Sequence, residues 1–571
     1  MLLGLAGAGI LIASLVITPS VALAEEKQAE PSPMPCADLA KLHLPETLSI
    51  TSELVTGGTF DPPGPTAPLT DLPSFCRVSI VVAPQISIEV WLPTATWNDR
   101  FQAVGGGGYA GEISWRELGR ALNDGYATAS TDTGHASSGP VPALDGSFGL
   151  DPDGTLNWEL IVDFASRSLF EMTVKAKAVI RAFYGKKAKY SYWTGCSTGG
   201  RQGLMQVQRT PEAYDGVLAG APAANWDRFL PGHLYPQVAM KEEVGQPIEA
   251  CKFNLANNAA LAACDELDGV VDGVLEDPRQ CHFDPIALQC PAGVAPSCNC
   301  LTSGEVSAIR KIWDGAHSTA GERLWYGLER TASFLGLAGP NPFPITLWHL
   351  RWVKQDPAFD WHALDYAGFD EFFEESQLLF NDVIGTDDPD LSQFRRSRGK
   401  LLMWHGWTDQ LIFPHGTIDY YDRVVNRMGG LKRVQRFARL FMAPGVNHCI
   451  GGAGPNAFGQ TNSGTPPPPP LVQDAAHDMV RALVRWVEQG IAPDKIIATK
   501  YVNDDPAQGV VRTRPLCAYP KVAVYDGSGS PDEAASFVCG ERSGPKHDDD
   551  DDDHGHSRKD HKRLIYKSLT R

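Results

Sequence analysis

Short apolar runs alternate with amphipathic stretches through the first half of this chain. Residues 78–92 alternate apolar and polar side chains, and residues 101–104 form an apolar run that ends in four glycines. Both patterns predict β-strands. Residues 164–183 repeat their apolar positions with helical spacing, and residues 215–220 predict a later strand. This alternation of strand and helix predicts an α/β fold with a mostly parallel sheet.

The pattern changes near residue 225 and returns near residue 399. Residues 225–398 are rich in tryptophan, phenylalanine, cysteine and irregular turns, whereas residues 399–406 again form a buried apolar strand. Helical spacing predicts a further helix over residues 472–489. The sequence therefore predicts a sheet domain in two parts, 25–224 and 399–544, with a lid domain inserted between them.

The two ends of the chain differ from the body. Residues 1–24 are apolar and finish on an A-x-A pattern, which predicts a secretory signal peptide, with an N-terminal membrane anchor as the alternative. Residues 545–571 contain six consecutive aspartates, 548–553, followed by a basic end. This composition predicts a disordered charged tail rather than a calcium-collecting segment. No other stretch approaches a transmembrane length, so we expect no stable membrane insertion after signal removal.

Charge and cysteine content narrow the functional class. A formal net charge of −18 argues against a nucleic-acid-binding protein, which needs a basic face. Twelve cysteines behind a predicted signal peptide indicate disulfides and a secreted or periplasmic protein. The close spacing of Cys290, Cys298 and Cys300 leaves a zinc site open as an alternative, although no C-x-x-C pair supports it.

The run Gly195-Cys196-Ser197-Thr198-Gly199 carries the first candidate chemistry. It contains the pattern G-x-S-x-G, the sharp strand-to-helix turn that exposes the nucleophilic serine of an α/β-hydrolase. An aromatic-rich strand precedes the run and a helix opens after it. An ordinary Gly/Ser turn is the alternative interpretation. The pattern predicts an α/β-hydrolase fold with a large inserted lid domain and with Ser197 as nucleophile.

Chain order points to the other two catalytic candidates. In an α/β-hydrolase the acid and then the base follow the serine. Asp409 comes shortly after the strand that begins near residue 400, and His448 follows a later strand through a Pro-Gly turn. His448 would take the proton of Ser197, and Asp409 would fix the imidazole tautomer. Three other histidines compete for the role of base: His135, His349 and His405.

The oxyanion of an acyl-transfer intermediate needs two backbone N–H donors. Thr198, directly after the nucleophile, would supply one of them. The glycine run at residues 105–108 would supply the other from Gly107 or Gly108, because glycines let the backbone approach a substrate closely. A flexible glycine loop with no catalytic part is the alternative.

Two cysteines stand beside two of these candidates. Cys196 precedes Ser197, and Cys449 follows His448. A disulfide between them would hold the nucleophile and base loops together, with Cα atoms roughly 5–6 Å apart. Cys196 as the nucleophile is the alternative, but an oxidising compartment disfavours a free reactive thiol.

This C-S … D … H-C arrangement resembles the tannase/feruloyl esterase family, which also includes the mono(2-hydroxyethyl) terephthalate hydrolases. The resemblance runs from Cys36 to Cys539. Four further segments carry it: residues 74–78, 97–101, 131–135 and 514–517. It implies the triad Ser197, Asp409 and His448 and the bridge between Cys196 and Cys449.

The resemblance also implies a structural Ca²⁺ site in the lid. Asp265, Asp268 and Asp272 would give side-chain oxygens, and Val270 and Val274 would give backbone carbonyls. The segment is not an EF-hand, because its glycine position differs and no terminal glutamate follows. Without the resemblance, the same residues are typical of a solvated acidic turn.

Three more disulfides follow from the resemblance alone. They are Cys36–Cys76, Cys264–Cys281 and Cys517–Cys539. The pairing of the remaining four cysteines stays open: Cys251, Cys290, Cys298 and Cys300.

Together these features predict a secreted serine carboxylic-ester hydrolase that cleaves small aromatic esters through an acyl-enzyme. Feruloyl-type esters are expected, with galloyl esters or terephthalate monoesters as alternatives and an inactive binding protein as the rival of another class. Four lid aromatics would either pack on a phenyl ring or form lid core: Trp348, Trp352, Phe359 and Trp361. A substrate carboxylate would need an arginine, and Arg323 and Arg351 are the candidates.

Overall fold

A computed structural model describes residues 32–64, 66–137 and 141–541 of the protein. The predicted signal peptide at residues 1–24 and the predicted tail at 545–571 lie outside these described residues. Within them, the strands are β1 (Thr47–Val55), β2 (Gly58–Phe60), β3 (Leu69–Leu72), β4 (Phe75–Val82), β5 (Ile86–Pro93), β6 (Arg100–Val104), β7 (Ala127–Thr131), β8 (Tyr190–Cys196), β9 (Gly216–Gly220), β10 (Lys400–Gly406), β11 (Ala438–Ala443), β12 (Lys495–Tyr501), β13 (Val510–Cys517), β14 (Val522–Tyr525) and β15 (Phe537–Gly540).

Helices account for most of the remaining regular structure. They are α1 (Trp115–Asn123), α2 (Trp158–Val162), α3 (Ser168–Tyr184), α4 (Thr198–Arg209), α5 (Trp226–Val244), α6 (Ala250–Cys264), α7 (Ser303–Asp314), α8 (Pro344–Lys354), α9 (Tyr366–Phe380), α10 (Ser392–Arg396), α11 (Pro414–Arg427), α12 (Leu431–Val434) and α13 (Met479–Gln489). A π-helical turn at Asp163–Arg167 joins α2 to α3.

One nine-stranded sheet organises the protein, in the order β1-β4-β5-β7-β6-β8-β9-β10-β11. The pairs on the β1 side, as far as β5 with β7, are antiparallel, and every pair from β7 with β6 onward is parallel. The predicted α/β-hydrolase fold with a mostly parallel sheet is confirmed. Because β8, β10 and β11 run in the same direction, their carboxyl ends meet at one edge of the sheet, where α/β proteins place their sites.

The predicted helix at residues 472–489 is too long. Helix α13 begins only at Met479, because the side chain of Asp478 accepts a hydrogen bond from the Arg481 N–H and caps the helix there. The preceding residues form turns in which Asp474 accepts hydrogen bonds from the backbone of Ala476. The apolar spacing in the sequence begins several residues before the helix does, and the Asp478 cap sets the first residue of the helix.

Helices α5 to α10 lie between β9 and β10 in the chain, where the sequence places its lid. Their buried aromatic and aliphatic side chains form a core of their own, to which residues such as Tyr109 and Phe164 of the sheet part contribute. Trp352 is fully buried in this core, and Trp361 is 8 % exposed. The lid therefore packs on the sheet domain as a second apolar layer over its carboxyl edge.

Every cysteine is disulfide-bonded in the structure. The four bridges expected from sequence are present, and two further bridges join Cys251 to Cys298 and Cys290 to Cys300. The zinc alternative for Cys290, Cys298 and Cys300 is therefore wrong, because a sulfur in a disulfide is not a thiolate ligand. Over the described residues, none of the helices has the length and apolarity needed to cross a membrane.

Candidate active site

Ser197 lies at the sharp turn between β8 and α4. Its backbone has φ 63° and ψ −125°, a conformation that non-glycine residues rarely adopt. Its N–H donates to the Gly220 carbonyl at 3.0 Å, which ties the turn to the end of β9. A Cβ atom on Gly195 would lie 2.6 Å from the Gly199 carbonyl carbon, so the turn requires glycine there. The strained turn presents the serine hydroxyl at the carboxyl edge of the sheet.

Asp409 and His448 meet at the same edge. Asp409 follows β10, and His448 follows β11. The Asp409 Oδ2 atom lies 2.8 Å from His448 Nδ1. The backbone N–H of His448 donates to the Gln410 side chain at 3.3 Å, so the two loops are joined a second time.

Asp409 is completely buried and has several hydrogen-bond donors. Its Oδ1 accepts from the backbone N–H groups of Leu411 at 2.9 Å and Ile412 at 2.8 Å, and its Oδ2 lies 3.1 Å from His405 Nε2. Burial raises the pKa of the Asp409 carboxyl, but the charge of His448 and the hydrogen bonds from both histidines outweigh burial and hold this pKa well below its usual range. The carboxylate is therefore ionised at any ordinary pH.

The other histidines proposed as bases are held elsewhere. His405 is fully buried, with its Nδ1 2.8 Å from the Thr417 hydroxyl and its Nε2 shared between Asp409 and the Ile412 carbonyl. His135 stacks on Phe148, and His349 bonds to Ser376 at 2.7 Å. His448 is thus the histidine that the structure pairs with Asp409 and also exposes to a cavity at Ser197.

Ser197 and His448 line one cavity of about 220 Å³. Among the described residues no hydrogen bond joins the two side chains directly, and such catalytic bonds commonly tighten only when substrate binds. The Cys196–Cys449 disulfide, with Cα atoms 6.0 Å apart, connects the two loops beside the cavity. It also removes Cys196 as a candidate nucleophile, since its sulfur is bonded.

The expected oxyanion donors border the same cavity. Gly107, Gly108 and Thr198 all line it, and within the described chain their backbone N–H groups have no hydrogen-bond partner. The Thr198 hydroxyl donates to the Gly108 carbonyl at 2.5 Å, which joins the glycine loop to the start of α4. Gly108 has φ 54°, and a Cβ there would come within 2.1 Å of the Ala143 carbonyl oxygen. The loop conformation therefore requires glycine.

The cavity wall is mostly apolar, and the lid provides its aromatic residues. Trp226, Phe229 and Phe343 are its aromatic residues, with Leu230 and Ile345 beside them. None of the four aromatics proposed from sequence lines it; Trp348, Trp352, Phe359 and Trp361 pack in the lid core instead. The lid-core interpretation of those four is the correct one. The sequence offered no signal for the true wall except that Trp226 follows the carboxyl end of β9.

No arginine or lysine lines this cavity among the described residues. Arg351 lies over the ring of Trp348 at 4.9 Å, and Arg323 is exposed on the lid surface. The suggestion that either arginine pairs with a substrate carboxylate is therefore wrong for the structure as it stands. The polar side chains that do line the cavity beyond the triad are neutral, namely Thr198, Thr346, Asn462, Ser463 and His233, whose pKa burial lowers to about 4.

The acidic segment expected to hold calcium forms a compact loop after α6. Asp265 accepts from the Gly273 N–H, and Asp268 accepts from the N–H groups of Val270 and Glu276. Asp272 pairs with two arginines, Arg512 at 2.6 Å and Arg514 at 2.7 Å.

Carboxylates surround this loop. Glu276, which is buried and pairs with Arg514 at 2.8 Å, adds a fourth carboxylate beside the three aspartates, and burial raises its pKa to about 8. Carboxylate and carbonyl oxygens are the ligands that calcium prefers, so the donor set fits calcium in its oxygen chemistry. The carboxylate oxygens of the three aspartates do not all lie within 4.8 Å of one another. In the described part of the chain, the three side chains that meet this spacing are Glu249, Cys251 and Cys298, and there the two sulfurs form a disulfide.

The chain is similar to known proteins over most of its length. A sequence model of the family described as tannase and feruloyl esterase matches residues 74–355 and 349–540, which include the elbow, the lid and both loops of the Asp–His pair. The chain belongs to the tannase and feruloyl esterase family. Its predicted membership is confirmed.

Members of the family with different named substrates resemble this chain. It is 39 % identical to a probable feruloyl esterase of Arthroderma benhamiae, over 85 % of this chain and 89 % of that one. It is 32 % identical to mono(2-hydroxyethyl) terephthalate hydrolase of Piscinibacter sakaiensis, over 83 % and 86 %. The crystal structure of feruloyl esterase B from Aspergillus oryzae superposes with a TM-score of 0.78 at 27 % identity, covering 88 % of this chain and 98 % of that one.

Proposed function

We propose that this protein hydrolyses feruloyl-type esters of aromatic acids through an acyl-enzyme formed on Ser197. The protein is a carboxylic ester hydrolase, as its family membership and relatives establish. The observation that carries the narrower proposal is the composition of the cavity. Ser197 and His448 lie in it beside an aromatic wall, and no lysine or arginine lines it among the described residues.

The proposed mechanism assigns one role to each group at the edge of the sheet. His448 takes the proton of Ser197 as the hydroxyl attacks the ester carbonyl, and it then protonates the leaving alcohol. Asp409 holds the imidazole through Nδ1 and stabilises the imidazolium. The N–H groups of Thr198 and of Gly107 or Gly108 stabilise the oxyanion. Water, activated by His448, then releases the aromatic acid from Ser197.

The cavity wall favours a neutral aromatic acyl group. Trp226, Phe229 and Phe343 provide the apolar surface that a phenyl ring buries favourably. A terephthalate monoester carries a second, ionised carboxylate, and an unpaired buried charge costs several kcal/mol. A feruloyl ester carries a phenol and a methoxy group in place of that charge, and Thr346 and Asn462 are neutral partners for such polar atoms.

We predict a clear order of substrates. The kcat/KM for methyl ferulate should exceed that for mono(2-hydroxyethyl) terephthalate by about 100-fold or more, because a difference of about 2.7 kcal/mol in transition-state binding produces that factor. The matched control is bis(2-hydroxyethyl) terephthalate, which has the same ring but no charge and should be much the better terephthalate substrate. Steady-state rates measure both ratios, and a monoester hydrolysed as fast as methyl ferulate would contradict the proposal. Methyl gallate in the same panel tests the tannase alternative.

We further propose that the lid binds one structural calcium ion. Asp265, Asp268 and Asp272 would provide carboxylate oxygens, and Val270 and Val274 would provide carbonyls. The support is the set of oxygen donors in the loop and the family resemblance of the segment. Bound calcium would supply positive charge that joins the two carboxylate-rich turns, and it takes no part in ester cleavage.

Calcium content can be measured directly. Protein purified without chelator should contain about one calcium per chain, and Asp268→Asn should lower both that content and the melting temperature. Glu266→Gln is the matched control, because Glu266 is exposed in the same loop and outside the ligand set. Metal analysis by mass spectrometry that finds no calcium before chelation, or equal losses in both variants, would count against the site.

Export from the cytoplasm is also proposed. All twelve cysteines are paired in disulfides, which form and persist in oxidising compartments. The predicted signal peptide at residues 1–24 agrees with this.

A further inference from the structure

The edge of the sheet opposite the candidate active site carries two adjoining cavities that share Gln435. The larger has a volume of about 550 Å³. In the described part of the chain, their walls provide six cations and one carboxylate. The cations are Lys400, Lys432, Arg436, Arg439, Lys495 and Lys521, and the carboxylate is Asp494. We call these residues the basic cleft.

The cations of the basic cleft are short of anionic partners. Arg439 pairs with Asp494 at 2.5 Å, and the other five make no ion pair with any described residue. Lys400 has only the Arg436 carbonyl at 3.5 Å and the ring of Trp486 at 5.6 Å, and burial lowers its pKa. Such a concentration of unpaired positive charge is unusual in a chain whose net charge is −18. Cations held together without partners repel one another, and an anion would relieve that repulsion.

The described chain ends beside this cleft. Cys539, in the last strand β15, lines the smaller cavity and is fixed there by its disulfide to Cys517. Glu541 is the last described residue, and the six consecutive aspartates begin at Asp548, seven residues later. Seven extended residues span at most about 25 Å. The aspartate run can therefore reach the basic cleft on its own chain.

We propose that the aspartate run, residues 548–553, docks in the basic cleft of its own chain. The charges are complementary, since the run carries six carboxylates and five cations of the cleft lack an ion pair with any described residue, and the run is tethered next to the site. A short tether gives an effective concentration in the millimolar range, so individually weak ion pairs suffice to hold the segment. The interaction is electrostatic, and rising salt weakens it because the Debye length falls from about 8 Å to about 3 Å at 1 M.

Docking at this edge leaves ester hydrolysis unchanged. Lys400 is the first residue of β10, whereas Asp409 follows the other end of the same strand. Seven strand residues separate the two edges by about 20 Å. The proposal therefore stands or falls independently of the catalytic assignment.

Zero-length carbodiimide cross-linking of the full chain, followed by peptide mass spectrometry, tests the docking. At low salt, the tail peptide with residues 548–553 should be linked to peptides that contain Lys400, Lys432 or Lys521. Arg436→Gln removes a cation that carbodiimide does not link and adds no carboxylate that could compete for the lysines, and it should lower these yields at least about fivefold. Arg323→Gln is the matched control, the same change at an exposed position on the lid that should leave them unchanged. Both variants should hydrolyse methyl ferulate like the parent.

Three results would overturn the proposal. The first is tail links spread evenly over remote lysines such as Lys41 and Lys187. The second is equal yields in Arg436→Gln and Arg323→Gln. The third combines two observations: the tail forms no links, and added polygalacturonate protects the backbone amides of the cleft from hydrogen exchange. That result would assign the cleft to an external anionic polymer.

Discussion

Ser197→Ala is expected to lower kcat for methyl ferulate by about 10⁴- to 10⁶-fold, because removing the nucleophile of a serine triad typically leaves only transition-state binding and the oxyanion donors. The melting temperature should change little or rise, since alanine fits the same strained turn without the polar hydroxyl. The measurement is a steady-state assay on highly purified protein, with circular dichroism to monitor the fold.

A second serine provides the control for that experiment. Ser463 lines the same cavity near Gly107 but has no link to the Asp409–His448 pair. Ser463→Ala should cost at most about tenfold, the loss of one neutral hydrogen bond to substrate. Similar losses in both variants would show that the cavity binds substrate but that Ser197 is not its nucleophile.

Asp409→Asn should lower kcat by about 10⁴-fold while leaving KM nearly unchanged. The amide can donate to His448 Nδ1 and so favours the wrong imidazole tautomer, and it cannot stabilise the imidazolium. The carboxylate has a pKa well below its usual range, so it does not titrate during an ordinary pH profile. Asp409→Asn should therefore lower activity at every pH of an ordinary profile.

The same shift has a consequence for stability. A carboxyl group whose pKa is lower in the folded state stabilises the fold above its unfolded pKa of about 3.9, and this contribution is lost as the pH falls through the folded value. Denaturation midpoints of the parent and Asp409→Asn should thus differ at neutral pH and converge in strong acid. A gap that is unchanged down to the lowest pH would contradict this assignment of charge.

Local patterns with a strict geometric meaning made the catalytic edge predictable. The G-x-S-x-G elbow, the order of serine, acid and base, and the two flanking cysteines each restrict the backbone, so the sequence predicted that Ser197, Asp409 and His448 lie together at one edge of the sheet, as they do. The sheet was predictable for the same reason, since β4 alternates buried and half-buried side chains from Cys76 to Val82.

The substrate wall could not be predicted, and the reason is physical. Whether a lid tryptophan faces a cavity or a core depends on how distant helices pack. Trp352 donates its indole N–H to the carbonyl of Gly146, which lies 206 residues earlier in the sequence. Trp352 is therefore buried in the lid core, whereas Trp226 lines the cavity. Both are tryptophans on lid helices, and their sequence surroundings do not separate them. The pairing of Cys251 with Cys298 was undetermined for a similar reason, since sequence alone does not give disulfide connectivity.

Covalent labelling of the active serine tests the central claim most directly. The protein is incubated with diethyl p-nitrophenyl phosphate, digested, and mapped by peptide mass spectrometry. The account predicts one phosphorylated residue, Ser197, with loss of ester hydrolysis in proportion to labelling and no labelling in His448→Ala on the same timescale. Labelling of another residue in parallel with inactivation, or full activity in protein labelled at Ser197, would contradict it.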